Sequence, residues 1–209
     1  MRIAVFGATG RTGVPLVEQA LVRGHEVVAF ARSPGELAID DPDLTVVTGD
    51  AYTGEGVAEA VRGADAVVSV LGQTGDGPDD LLTVAGDHVL EAMEREGVDR
   101  FVTLVGAGVR EEGEAVSLSG RVMGAALKLL ASEVLADAAG HIERVRASGL
   151  EWTVVRAPRL TDDEGTGDYR AGDVALGFES VARADVARFL LDCVEGEQHV
   201  RAMPKVGAA

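Results

Sequence analysis

The chain of 209 residues has one cysteine, Cys193, so no disulfide can form within it. Small secreted domains depend on several such bridges, and their absence favours a protein of the cytoplasm. No segment reaches the ~20 uncharged apolar residues that cross a bilayer. The glycine-broken start, MRIAVFGATG, also lacks the pattern of a signal peptide. We therefore expect a cytoplasmic protein without a membrane partner.

Basic residues are scarce. Lys and Arg number 19 against 35 Asp and Glu, the net charge is -16, and the lysines are Lys128 and Lys205 alone. A field of that sign repels nucleic acid, and no basic patch offsets it, so we expect no nucleic-acid partner. The acidic, lysine-poor composition is similar to that of proteins from halophiles, where carboxylates keep the surface hydrated, and predicts such an origin.

Patterns for metal binding and for hydrolysis are absent as well. The four histidines, His25, His88, His141 and His199, are scattered without ligand spacing, and a single cysteine cannot complete a zinc site. No G-x-S-x-G nucleophile motif occurs. The sequence therefore predicts neither a metal centre nor a serine hydrolase.

Apolar runs of strand length alternate with segments of helical periodicity. Strands are predicted at 2–6, 26–30, 44–48, 66–71, 100–105, 152–156 and 199–203, the last at a sheet edge. Helices are predicted at 12–23, 54–62, 79–96, 121–148 with a break near Gly140, and 184–194. Four glycines follow helical segments where a left-handed C-cap belongs: Gly24, Gly63, Gly97 and Gly149. The alternation predicts a single α/β domain, with a doubly wound, mostly parallel sheet and helices on both faces.

A glycine-rich turn directly follows the first predicted strand and opens the first helix. It reads Gly7-Ala8-Thr9-Gly10-Arg11-Thr12-Gly13. Glycines in this context let backbone N–H groups approach a pyrophosphate at a helix N-terminus. We predict that a dinucleotide is bound here, by Gly7, Thr9, Gly10, Arg11, Thr12 and Gly13.

The end of the second strand indicates which dinucleotide. An Asp or Glu about 20 residues past the turn would bind the ribose 2′-OH of NAD, but Arg32 and Ser33 stand there instead. Arg32 can pair with a 2′-phosphate through its planar fork, with Arg11 in the neighbouring turn. The sequence therefore predicts NADP(H) in preference to NAD(H), the alternative being that Arg32 is only a solvated surface residue.

Other candidate cofactor contacts follow later strands. Asp50 and Ala51 come after the third strand, where Asp50 can accept from the adenine amine or serve only as a turn or cap residue. Leu71 and Gly72 follow the fourth strand and Gly106 the fifth. Ligands of open α/β sheets bind at these carboxyl ends, so we expect all of them beside the cofactor.

With these residues in place, the chain resembles an atypical short-chain dehydrogenase/reductase, in the branch of NmrA-like proteins and biliverdin IXβ/flavin reductases. The likeness rests on GATGRTG, ARSP at 31–34, GDA at 49–51, SGLEWTVVRAPRL at 148–160 and SVARADVARFLLDCVE at 180–195. It implies one NAD(P)-binding Rossmann domain over residues 1–209, with small substrate-side elements near 107–120 and 157–182. It also implies that Pro158 passes near the nicotinamide.

The chain departs from these relatives where chemistry is expected. Neither Tyr52 nor Tyr169 has the lysine four residues later that activates tyrosine in familiar short-chain dehydrogenases. Gly106 stands where many relatives of the branch carry serine, and Arg159 where the biliverdin/flavin reductases carry histidine. Alcohol dehydrogenase chemistry is therefore not expected.

These departures predict an NADPH-dependent reductase that passes hydride to a flavin, quinone or similar planar acceptor. Arg159 is a candidate for holding an anionic acceptor. Candidate proton donors are His141, Ser117 and Tyr169, although His141 is also typical of a helix surface, Ser117 of a helix cap and Tyr169 of packing.

Two alternatives remain. The first is a non-catalytic NADP(H)-binding sensor of the NmrA type, and the second, less favoured, is an epimerase or dehydratase. The sequence leaves the choice between monomer and homodimer open.

Overall fold

The computed structural model describes residues 1–73, 77–109, 132–177 and 179–209. The strands are β1 Arg2–Phe6, β2 Glu26–Ala31, β3 Leu44–Thr48, β4 Ala66–Ser69, β5 Arg100–Gly106, β6 Glu151–Ala157, β7 Arg159–Thr161, β8 Tyr169–Gly172, β9 Ser180–Ala182 and β10 Lys205–Ala208. The helices are α1 Gly13–Val22, α2 Val57–Val61, α3 Leu81–Glu96, α4 Ser132–Ala147 and α5 Arg183–Glu195, with a 3₁₀ turn at Pro34–Glu36. Within these ranges no helix is long and apolar enough to cross a membrane.

The main sheet has the strand order β3-β2-β1-β4-β5-β6-β10-β8. Its strands run parallel except β8, which pairs antiparallel with β10. A second, small sheet joins β7 to β9 in parallel. The strands β3-β2-β1-β4-β5-β6 follow the order of dinucleotide-binding folds. The order in which the chain adds strands reverses between β1 and β4, while the strands themselves stay parallel. The α/β prediction is confirmed.

Alternate residues of each central strand bury opposite faces. In β1, Ile3 and Val5 join one apolar cluster together with residues of α1 and α5. Ala4 and Phe6 join the other cluster, together with residues of α2, α3 and α4. Because the side-chain period of a strand is two, this division places a helical layer on each face. Cys193 is buried in the first cluster.

The predicted helix-ending glycines adopt left-handed backbone. Gly24, Gly63, Gly97 and Gly149 have φ of 79°, 70°, 71° and 77°. Residues with a Cβ rarely adopt this region, so glycine is the favoured residue at each position.

Two predicted helix details were wrong. The second helix begins at Val57, not near residue 54, because Gly54 and Gly56 have φ of 80° and 75° and keep the chain out of the helix. Helix α4 runs without a break through Gly140. A Cβ at Gly140 would lie 2.9 Å from Oγ1 of Thr83, so the glycine allows close packing of α4 on α3.

The predicted edge strand at 199–203 was also wrong. His199 and Arg201 have φ of 64° and 55°, values that do not continue a strand. The strand is β10, and it lies between β6 and β8 instead of at the edge. The turn before it is held by Arg201 N–H, which donates to Trp152 O at 2.6 Å, and by Thr153 Oγ1, which donates to His199 O at 2.9 Å.

Candidate functional site

The glycine-rich turn packs against its own helix so closely that side chains are excluded. A Cβ at Gly13 would lie 2.0 Å from the carbonyl oxygen of Gly7, a distance that no atom pair tolerates. Gly10 N–H donates to Gly7 O at 3.0 Å, and Val14 N–H donates to Gly10 O at 3.0 Å. Gly7 itself has φ of 82°. The φ of Gly7 and the contact at Gly13 therefore each require glycine, and a Cβ at Gly10 would lie 3.1 Å from Gly7 O, tighter than an ordinary contact.

The N-terminus of α1 is open to an anion. Thr12 is the N-cap residue and is 8% exposed, yet its side chain makes no capping hydrogen bond. The first N–H groups of a helix lack partners within the helix and carry partial positive charge. A ligand phosphate can take the place of the missing cap.

The turn lies at the reversal point of the sheet. A Cβ at Gly7 would lie 3.0 Å from the carbonyl oxygen of Val70 and 3.1 Å from the nitrogen of Leu71, just past β4. Leu71 is half-buried and Gly72 is exposed. The predicted contacts at Gly7, Leu71 and Gly72 are therefore adjacent, in the crevice where such sheets bind nucleotides.

A second tight turn follows β3. Asp50 N–H donates to Glu55 O at 3.0 Å, and the carboxylate oxygen Oδ1 of Asp50 accepts from Tyr52 N–H at 2.9 Å. Ala51 is 5% exposed, and its carbonyl oxygen lies 3.0 Å from Nδ1 of His88 in α3. One oxygen of Asp50 thus shapes the turn, and the other has no hydrogen bond among the described residues. The adenine contact of Asp50 stays a prediction.

The two arginines assigned to the 2′-phosphate differ in their surroundings. Arg32 and Ser33 are exposed just past β2, and Arg32 has no acidic partner in the described ranges. Arg11 donates instead to the Asp162 carboxylate at 3.2 Å, and Arg183 donates to the other oxygen of Asp162 at 2.6 Å. Arg32 can therefore bind an anion without losing an existing ion pair. Arg11 can do so only by leaving Asp162 or by contacting both Asp162 and the anion.

The other end of the crevice is formed by the ends of β5 and β6. Gly106 pairs with Ala157, and Ala107 N–H donates to Ala157 O at 2.7 Å. Pro158 is half-buried, and Arg159 is exposed without an acidic partner among the described residues. Pro158 and Gly106 therefore lie at the same edge of the sheet.

His141 is a core residue, so the expectation of a surface position was wrong. It is 2% exposed, and its Nε2 lies 3.2 Å from Oγ1 of Thr103. Among the described residues Nδ1 has no hydrogen-bond partner of good geometry, and the ring occupies the space over Gly86, where a Cβ would lie 2.4 Å from Nδ1. Burial lowers the pKa of His141 to about 4, and the carboxylates of Asp137 and Asp87 offset only part of this effect.

The imidazole is neutral near pH 7 and far from the crevice. Thr103 lies three residues before the end of β5, roughly 10 Å below the carboxyl edge. Nothing in this geometry favours His141 as a proton donor.

Tyr169 is held away from the glycine turn. Its hydroxyl donates to Oδ2 of Asp192 at 2.5 Å, and its ring packs on Phe189, with ring centroids 5.0 Å apart. Burial and the Asp192 carboxylate raise its pKa. Asp192 also accepts from Arg23, which follows α1 at the end farthest from the turn, about 15 Å along the helix. This geometry favours a packing role for Tyr169. The third candidate proton donor, Ser117, lies outside the described residues.

Several contacts that hold the segment after β7 were not predicted. Asp185, 4% exposed, accepts from Thr166 N–H at 3.1 Å and from Gly167 N–H at 2.9 Å, and so ties the segment after β7 to α5. Asp162 joins the glycine-rich turn to α5 through Arg11 and Arg183. These partners are up to 151 positions apart in the chain, and no local pattern marks such pairs.

Comparisons with known proteins agree with this geometry. A family model described as NAD(P)H-binding matches residues 7–197. The chain is 27% identical over 210 residues to the uncharacterised protein YwnB of Bacillus subtilis, covering 95% of this chain and 94% of that protein. It is 30% identical over 214 residues to the uncharacterised chloroplastic protein At2g34460 of Arabidopsis thaliana, covering 94% of this chain and 73% of that protein.

A solved structure shares the whole fold. The wide-type short-chain dehydrogenase/reductase from Veillonella parvula, in complex with NADP, superposes with a TM-score of 0.80 at 20% identity and covers 99% of this chain and 94% of its own. At that identity the likeness concerns the fold. The match over residues 7–197 shows that this chain belongs to the NAD(P)H-binding family of Rossmann-fold proteins.

Proposed function

We propose that the protein is an NADPH-dependent reductase of a planar acceptor such as a flavin or quinone. The observation that carries the cofactor preference is Arg32, exposed past β2 with no acidic partner in the described ranges. No acid occupies the place that selects the ribose 2′-OH of NAD. A guanidinium in that place favours a 2′-phosphate through charge-assisted hydrogen bonds.

The choice of acceptor rests on the described residues at the nicotinamide end, Gly106 and Pro158, and on the positions of the two described proton-donor candidates, which lie away from it. Gly106 and Pro158 offer no acid, His141 is buried and neutral, and the Tyr169 hydroxyl is engaged by Asp192. A bound nicotinamide supplies a hydride, and the protein supplies position. An acceptor whose reduction can take its proton from water suits such a site. Arg159, exposed at the same edge, holds an anionic group of that acceptor.

The cofactor preference is tested by titrating NADPH and NADH into the wild type and Arg32→Ala. The loss of a charge-assisted contact raises the NADPH dissociation constant about tenfold or more and leaves NADH unchanged. Arg95→Ala is the matched control, since Arg95 is exposed and has no acidic partner in the described ranges but lies at the C-terminal end of α3. Equal binding of NADH and NADPH by the wild type contradicts the preference.

Turnover is tested by following nicotinamide absorbance with flavins, quinones and tetrapyrroles, at low salt and at high salt. We expect oxidation of NADPH by at least one planar acceptor. Arg159→Ala raises KM for an anionic acceptor and leaves KM for a neutral quinone unchanged. An equal effect of Arg159→Ala on both acceptors contradicts its assigned role.

The second candidate is a sensor that binds NADP(H) without turning it over. It is favoured by the same observation that narrows the choice of acceptor. The two proton-donor candidates that the structure describes, His141 and Tyr169, are each engaged within the protein, by Thr103 and by Asp192. Tight NADPH binding with no oxidation by any acceptor supports the sensor over the reductase.

A further inference from the structure

Helix α3 begins at the ligand edge, and its N-terminus is capped from another helix. Its own N-cap residue, Asp80, makes no side-chain capping bond. The carboxylate of Asp137, in α4, takes that place: Oδ2 accepts from Leu82 N–H at 2.9 Å and Oδ1 from Thr83 N–H at 2.8 Å. A negative charge at this position also suits the helix dipole.

The same carboxylate holds the loop that leads into α3. Nε2 of Gln73 donates to Oδ2 of Asp137 at 2.9 Å, and also donates to the carbonyl oxygen of Asp79. Asp137 is 6% exposed. Because the Gln73–Asp137 bond is partly shielded from water, it constrains the loop more strongly than a fully exposed contact would.

The near end of this segment contacts the glycine turn. Val70 N–H donates to Phe6 O at 2.9 Å, and the backbone of Val70 and Leu71 lies against Gly7. Residues 70–73 are therefore fixed at two points, by β1 at one end and by Asp137 at the other. Gly72, exposed between them, forms part of the crevice wall.

We propose that Asp137 is a positioning residue for dinucleotide binding, which acts by holding Gln73 and hence the crevice wall at 70–73. The inference rests on the NAD(P)H binding of the family and not on the reductase reaction. Asp137 itself does not touch the ligand. Its contribution is to fix the wall before the nucleotide arrives, so that binding does not have to order it.

A purely structural cap predicts a different result. If Asp137 only stabilises α3, losing Gln73 alone has little effect on nucleotide binding, since both backbone N–H groups keep their acceptor. If Asp137 positions the wall, Gln73→Ala weakens binding although the helix cap is intact.

The test compares four variants by NADPH dissociation constant, measured without any acceptor, and by melting temperature without ligand. Gln73→Ala is expected to raise the dissociation constant about fivefold with little change in melting temperature. Asp137→Asn is expected to weaken binding by at least as much and to lower the melting temperature, because an amide turns a donor toward an N–H group. The double variant is expected to bind as Asp137→Asn does, since both changes remove one contact.

Asp87→Asn is the matched control. Asp87 lies in α3 and pairs with Arg144 of α4 at 2.7 Å, so it joins the same two helices on an exposed surface away from Gln73. We expect it to leave the dissociation constant unchanged.

Unchanged NADPH binding in Gln73→Ala overturns the proposal, as does an additive effect in the double variant. Should Asp137→Asn fail to fold, Gln73→Ala against Asp87→Asn still decides the question. A wild type that binds NADPH but reduces no acceptor defeats the reductase proposal and leaves this test in force.

Discussion

The two ends of the crevice are built by different means. At the nucleotide end the backbone itself makes the fit, as at Gly13, where a Cβ would lie 2.0 Å from Gly7 O. At the other end, formed by the ends of β5 and β6 and called the acceptor end after its proposed role, side chains hold the segment after β7. Asp162 pairs with two arginines, and Asp185 accepts from the N–H groups of Thr166 and Gly167. One end is set by the path of the chain and the other by polar pairs.

The difference determines how each end responds to change. A backbone turn has no charge to titrate or screen, so only a new side chain disturbs it. Exposed ion pairs are weak in water and weaken further in salt. We therefore expect the glycine turn to keep its shape under changes of pH and salt that loosen the exposed ion pairs of the acceptor end.

Gly13→Ala should have the largest effect. The added Cβ meets the Gly7 carbonyl at 2.0 Å and the backbone of Ala8 at 2.7 Å, neither of which can yield without opening the turn. We expect NADPH binding to fall below detection and stability to drop by about 3 kcal/mol. Gly35→Ala, where nothing lies within 4 Å of the added Cβ, is the control, measured by titration and chemical denaturation. Near wild-type binding by Gly13→Ala would show that the glycine turn accommodates a side chain at this position.

We expect His141 to titrate as a buried core residue and not as a proton donor. Its pKa is about 4 in the folded protein against 6.5 as its ordinary value, so below pH 6.5 the unfolded chain takes up a proton that the folded protein does not. Stability is therefore lost as pH falls, by about 3 kcal/mol between pH 6.5 and 4.

His141→Gln removes this titration and keeps a polar group near Thr103. The free energies of unfolding of wild type and variant, measured against pH, should converge as the pH falls from 6.5 to 4. Parallel curves would show that His141 is not a buried neutral group.

Tyr169→Phe should have a smaller effect. It removes the hydroxyl bonded to Asp192 and leaves the ring against Phe189, so we expect a loss of about 1 kcal/mol. The turnover number of any reductase activity should be unchanged. A tenfold fall in turnover number with unchanged stability would instead identify Tyr169 as a proton donor.

The smallest effect is expected at Asp162. Its side chain is 61% exposed and that of Arg11 is 73% exposed, so Asp162→Asn should cost less than ~1 kcal/mol at low salt. At 1 M salt the Debye length is about 3 Å and the difference should vanish. Asp185→Asn is the contrast, since Asp185 is 4% exposed and its loss should persist in salt. Equal salt dependence for the two variants would contradict the role assigned to burial.

The sequence predicted the backbone of the glycine turn well because the signal there is local. The glycine spacing, the helix start at Gly13 and the C-cap glycines each depend on the backbone of a few neighbouring residues. The parallel direction of β1 to β6 followed from the alternation of strands and helices, whereas their order in the sheet was not predicted. The preference for NADP(H), read from Arg32, stays a prediction.

Contacts between segments distant in the chain could not be predicted in the same way. Arg11 finds Asp162, and Asp137 of α4 caps α3, through contacts that only the tertiary fold brings together. His141 was misjudged because helical periodicity does not say how deeply a polar residue is packed. Gly140 was misread as a helix break, since a sequence does not show that Thr83 lies above it.

The capping of α3 by Asp137 also limits where a ligand can settle. Two helices, α1 and α3, start at the carboxyl edge on either side of the sheet reversal, and each presents unpaired N–H groups to anything negative. At α3 the protein has already supplied the anion, from its own buried carboxylate. Of these two helices, α1 alone has no side-chain cap on its N-terminal N–H groups, so we expect a dinucleotide to place its pyrophosphate at α1 and not at α3.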